Sequence, residues 1–147
     1  MKTITVPQII ALPQEAIEVP GLLDAMAVPF EPIAVVNWPD EYPYCPDVKV
    51  RMAWCPEGIV LHYQVNEQSV RATYGEDDGK VWTDSCVECF IRNTETDSYY
   101  NIECNCVGTI LVGMGAGKDR CRLPLEVLAK VKRWTTLGRE PFGCIAE

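Results

Sequence analysis

Between Val81 and Thr109, Trp82 is followed by Asp84 and Glu88, an aromatic ring beside acids and amides of the types that sugar recognition uses; a strand-end tryptophan capping the core is the other reading. An indole ring stacks on the apolar C–H face of a pyranose, and carboxylates and amides take its hydroxyls. The same stretch carries Cys86 with Cys89, and Cys104 with Cys106, a spacing that raises zinc. Strand periodicity weighs against a metal. It sends Cys86 and Cys89 to opposite faces, and Cys104 and Cys106 together to the core side. Buried free thiols are the expectation, and a redox C-x-x-C would sit at a helix N-terminus instead. Glu88 and Glu103 also have the types of a glycosidase acid/base pair. Acids on a flat sheet face without a cleft are better read as binding groups.

Two alternating segments must position these groups. Residues 86–92 and 99–106 read as strands joined by the polar turn 93–98, which includes Asn93. Val87, Cys89 and Ile91 form one apolar side. Tyr100, Ile102, Cys104 and Cys106 form the other. If both apolar sides enter one core, Arg92 comes near Tyr99, and Glu88 comes near Glu103 and Asn105. The opposite face then gathers two carboxylates, the amides of Asn101 and Asn105, an arginine and two rings, Phe90 and Tyr99.

The whole chain of 147 residues is about one domain's worth, expected as a single domain over 1–147. Its 21 acidic against 13 basic residues give a net charge of -8, which argues against a nucleic-acid partner. No apolar run approaches the roughly 20 residues of a membrane span. The N-terminus has no long apolar core, and prolines 7 and 13 interrupt it, so no export signal is expected and the sequence alone suggests the cytoplasm. The eight cysteines fit small buried hydrophobes in a reducing compartment.

Elsewhere, strands are expected over 3–7, 33–37, 69–74 and 109–112. A hairpin is expected with arms 48–54 and 59–65 around Pro56-Glu57-Gly58. Short helices are expected over 21–26 and 124–134, the second with Leu125, Leu128, Val131 and Trp134 on one face. Residues 135–147 show no element. The loop 38–47 is stiffened by proline and either presents Trp38, Tyr42 and Tyr44 to a ligand or covers the core. Gly113 to Asp119 lacks the spacing of a phosphate loop and reads as a flexible turn. His62 has no triad partners, and with Met52 or Met114 it would be a weak haem signal. Glu76, Asp77 and Asp78 read as a solvated turn rather than a calcium loop. Many short strands point to an antiparallel β-sandwich.

The segments V-W-T-D-S-C-V-E-C-F-I and Y-Y-N-I-E-C-N-C-V-G-T-I-L resemble the family 9-like carbohydrate-binding modules, especially the branch common in gut Bacteroides-type bacteria. So do N-W-P-D-E-Y-P-Y-C-P-D-V upstream and L-E-V-L-A-K-V downstream. The resemblance runs from about residue 33 to 137. It implies an all-β, antiparallel, jelly-roll-like β-sandwich with one short C-terminal helix. It also implies an oligo- or polysaccharide partner, no catalysis and no cofactor. By position, Trp82 would be a stacking platform, and Glu88 and Asn105 would bind hydroxyls. Glu103 stands where the family's sugar binders carry an arginine. The family's second tryptophan and further strands lie beyond the point matched by Glu147. The expectation is therefore an incomplete sandwich, or one completed by another copy through unpaired sheet edges. A structural or protein-interaction domain without a sugar site is the alternative, and a haem-binding or enzyme-accessory relative a third. Relatives often act outside the cytoplasm, which leaves the compartment open.

Overall fold

The computed structural model describes residues 3–92, 94–117, 119–140 and 143–146. The chain forms two compact units, Met1–Gln68 with Gly138–Glu147, and Ser69–Leu137.

The first unit holds a five-stranded sheet. Its strands are β1 (Glu31–Pro32), β2 (Asp47–Cys55), β3 (Gly58–Glu67), β8 (Leu137–Glu140) and β9 (Gly143–Ala146), in the order β1-β2-β3-β9-β8. The β2–β3 hairpin is the one its alternation predicts, with Val50 opposite Tyr63 and Arg51 opposite His62. Helix α1 (Val19–Ala25) takes Pro20 into its first turn, where a missing N–H costs nothing. Leu23 is fully buried among Ile9, Val19, Val28, Ala53, Cys55 and Val60. Each buried leucine, isoleucine or valine contributes about 1.5–3 kcal/mol by leaving water. Arg51 is buried too. Its Nε donates to His62 Nδ1 at 3.1 Å, its Nη2 donates to the Pro20 carbonyl at 3.1 Å, and Nη1 pairs with Asp24. The Phe30 ring lies 4.4 Å from the guanidinium carbon. His62 thus serves Arg51 as an acceptor inside this unit.

Several expectations change here. Residues 3–7 form no strand, and only Gln8 bridges to Trp54. The strand expected over 33–37 is instead the two-residue β1, and Ile33 and Val35 are exposed. Hydrophobicity alone cannot bury a segment that no second layer covers. Strands β8 and β9 lie where no element was expected. β9 joins the sheet through Val65 opposite Ala146, a pairing between residues far apart in sequence.

The second unit is a meander of four antiparallel strands, β4 (Cys86–Arg92), β5 (Tyr99–Asn105), β6 (Ile110–Ala116) and β7 (Asp119–Arg122). Ile110, Val112 and Leu128 form its buried cluster, with Ile102, Cys104 and Leu123 against it. β6 runs past the expected 109–112 and absorbs Gly113 and Gly115, which were read as a flexible turn. Lys118 of that motif and Asn93 of the 93–98 turn lie outside the described residues. β5 stops at Asn105, so Cys106 sits in a turn rather than on the core face, and its thiol donates to the Arg71 carbonyl at 3.6 Å.

Residues 69–74 make no strand because side chains take their backbone groups: Arg71 N donates to Ser85 Oγ, and Thr73 N and Tyr74 N donate to Asp84. The predicted C-terminal helix shrinks to α2 (Leu125–Leu128). Leu128 is buried, but Leu125 and Val131 are exposed, so the apolar stripe has no continuous partner. Beyond it Arg133 fastens the chain, donating to the carbonyls of Val131 and Gly108 and to Asp77.

Two antiparallel sheets with short helices make this an all-β fold of the sandwich class. Among the described residues no helix is long and apolar enough to cross a membrane, and no cluster of three or more His, Cys, Asp or Glu could hold a metal ion.

Candidate functional site

The register of the second sheet sets the site. Residues directly opposite each other share a face. One face therefore carries three rows: Glu88–Glu103–Leu111, then Phe90–Asn101–Gly113–Arg122, then Arg92–Tyr99–Gly115–Arg120. Asn105 lies opposite Cys86 at the end of the same face. The expected neighbours, Arg92 with Tyr99 and Glu88 with Glu103, are directly paired.

Trp82 belongs to a 3-10 turn, Val81–Thr83, that packs against β4 and β5. Val81 is fully buried and anchors the turn, while Trp82 is 45% exposed. The next residue but one, Asp84, has a fully buried side chain. It accepts from Thr73 N at 2.9 Å, and from Tyr74 N and Asn105 Nδ2 at 3.0 Å each. Burial alone would raise the Asp84 carboxyl, but these hydrogen bonds overcome it and hold the group below its ordinary range. An anchor on each side thus presents the indole ring. Arg122 lies 5.7 Å from that ring and donates to the Asp78 carbonyl at 2.7 Å.

The polar face of β5 is more deeply buried than the alternation implied. Asn101, Glu103 and Asn105 are 2%, 6% and 2% exposed, whereas Tyr100 on the apolar side is exposed. Asn101 Nδ2 donates to Glu103 Oε1 at 2.7 Å. The other acceptors of this pair, Asn101 Oδ1 and Glu103 Oε2, are buried without a hydrogen-bond partner. Buried acceptors left unmade cost about 1–3 kcal/mol each. Burial, and then the nearby Glu88 charge, push the Glu103 carboxyl above its ordinary range, and Arg120, Asn101 and Arg122 only partly oppose this.

Asn105 is different. Its Nδ2 donates to Tyr74 O and Asp84 Oδ2, and its Oδ1 accepts from Val107 N and Thr109 N. Both donors and both acceptor positions are filled within the protein. The thiols are quiet. Burial first, then Glu88 and Glu103, pushes Cys86 up to about 12, and burial pushes Cys104 to about 11.

Sequence reading placed Asn101 on the right face but gave it no role, and it missed Arg120 and Arg122. The alternation of Arg120 and Arg122 was the available signal, hidden by the glycines before it. A depression of about 700 Å³ in this unit is lined by Asp77, Gly108, Leu125, Arg133 and Trp134 among others, and by none of the four expected site residues.

Fold and face together define a β-sandwich binding protein, and comparison with known proteins places it. The model of carbohydrate-binding family 9 matches residues 17–145, so the chain belongs to that family. The chain is also similar to a presumed carbohydrate-binding protein from Bacteroides uniformis of known crystal structure. The two are 43% identical with a TM-score of 0.86, over 96% of this chain and 68% of that one. Comparison with curated proteins gives no match.

Proposed function

We propose that this chain is a non-catalytic module that binds a saccharide on the polar face of the β4–β7 sheet. The observation that carries this reading is the buried Asn101–Glu103 pair with two acceptors unmet, on a face bordered by an anchored, half-exposed Trp82. Trp82 supplies the stacking platform, and Glu88 and Glu103 accept from hydroxyls. Asn105, whose hydrogen bonds are already made, holds the Trp82 turn in register with β5. Few anchors on an open face make the binding weak. Family membership and the Bacteroides neighbour support a saccharide ligand.

Association through the sheet edges β4 and β7 belongs to the same proposal. A sharp monomer mass in light scattering would remove it.

The test is a titration with mono- and oligosaccharides, followed by tryptophan fluorescence. A saturable change with one sugar class, lost in Trp82→Ala, is expected. The second reading, an interaction domain that keeps the fold without a sugar site, draws on Glu103 standing where the family's sugar binders carry an arginine. A folded protein silent across the whole panel would favour it.

A further inference from the structure

The glycines of β6 leave a gap in the middle of the face. Gly113 lies between Asn101 on β5 and Arg122 on β7, and Gly115 lies between Tyr99 and Arg120. Neither position carries a side chain between the acceptors of β5 and the arginines of β7. The two glycines have different reasons to be glycine. At Gly115, with φ of 156°, a Cβ would overlap the Asp119 carbonyl oxygen, so the backbone itself demands it. At Gly113 a Cβ would lie 3.5 Å from Arg120 Cβ and 3.7 Å from Arg120 Cδ, which is ordinary contact. The place a side chain would take at Gly113 is therefore covered by the exposed Arg120 side chain.

Resting on the carbohydrate reading above, we infer that Asn101, Glu103 and Arg120 form one unit that reads two adjacent hydroxyls of a neutral sugar. Glu103 Oε2 and Asn101 Oδ1 are buried acceptors without donors, and they belong to side chains joined by a 2.7 Å hydrogen bond. Two hydroxyls on neighbouring carbons bring the two missing protons. Arg120, displaced from Gly113 as the ring enters, donates to the hydroxyl oxygens. A uronic acid keeps those hydroxyls but adds a carboxylate to a face on which Glu88 stands opposite Glu103, and repulsion between like charges disfavours it.

The experiment compares glucose with glucuronate and galactose with galacturonate by calorimetry. The proteins are the native chain and the Arg120→Met, Glu103→Gln and Gly113→Val variants. The neutral member of one pair is expected to bind at least tenfold tighter than its uronate. Arg120→Met should weaken neutral binding about tenfold. Glu103→Gln should narrow the neutral-to-uronate ratio, a change that a merely structural role would not produce. Gly113→Val puts a side chain where Arg120 lies over β6 and should abolish binding with the unfolding midpoint preserved; if that variant does not fold, Arg120→Met and Glu103→Gln decide. A uronate that binds as tightly as its neutral partner, or neutral binding indifferent to Arg120→Met, overturns this inference and leaves the carbohydrate reading standing. Silence toward every sugar overturns both.

Discussion

Glu88 stands directly opposite Glu103 across the β4–β5 ladder. Like charges in that position destabilise a sheet. Burial and then Glu88 raise the folded pKa of Glu103 above its ordinary 4.5. A carboxyl raised in this way lowers stability as pH rises from its unfolded pKa through its folded one. Glu103→Gln should therefore be more stable than the native protein at pH 7. The advantage should shrink below pH 4.5, where the native carboxyl is also neutral. Urea midpoints at the two pH values measure this, and a Gln variant less stable at pH 7 would show that the charge is stabilising.

Asn105→Ala removes four hydrogen bonds around the Trp82 turn. At roughly 1 kcal/mol each, the loss should be about 2–4 kcal/mol, read from the denaturant midpoint. A cost below about 1 kcal/mol would argue that Asn105 is not a clamp and restore it as a candidate binding group.

Asp77 and Asp84 govern the acid limit. Burial raises each carboxyl, but more is gained from their hydrogen bonds: for Asp77 from Arg133 and the Ile110 N–H, for Asp84 from Tyr74, Thr73 and Asn105. Both folded pKa values fall below 3.8. Such groups stabilise the fold above their unfolded pKa, and that contribution is lost as pH drops through the folded value. Melting temperatures should thus fall steeply below about pH 4. Asp84→Asn should melt lower than the native protein at pH 7 and lose less on acidification. An equal slope in both proteins would count against this assignment.

Thiol labelling should divide the cysteines by exposure. Cys45 and Cys121 are exposed, while Cys86 and Cys104 are partly buried with proton affinities pushed to about 12 and about 11. Thiolate is the reactive form. At pH 7.5 a maleimide should modify Cys45 and Cys121 well before Cys86 and Cys104, as read by peptide mass spectrometry. Equal rates would mean that Cys86 and Cys104 open readily.

The hairpins were legible because a strand's period of two is a local property. The alternation from Val48 to Trp54, and that around Cys86 and Tyr99, carries its own face assignment, and the observed registers follow it. Glu88 and Glu103 were visible for the same reason. Less regular segments were not. Residues 69–74 have strand-like residues but give their backbone bonds to Ser85 and Asp84. The helical stripe at Leu125 and Val131 found no surface to cover it.

By itself, the sequence determined an acidic, strand-rich chain with family 9 motifs and a polar sheet face. Only the tertiary structure decided which groups on that face have their hydrogen bonds met. Asn105 is consumed by four internal bonds, Asn101 and Glu103 keep unmet acceptors, and β7 brings Arg120 and Arg122 beside them. The reason is physical. Side-chain type and facing are set by neighbours along the chain, but hydrogen-bond satisfaction is a count over all atoms that the fold brings together. The same holds for β9, which pairs with β3 although the chain between them forms a sheet of its own.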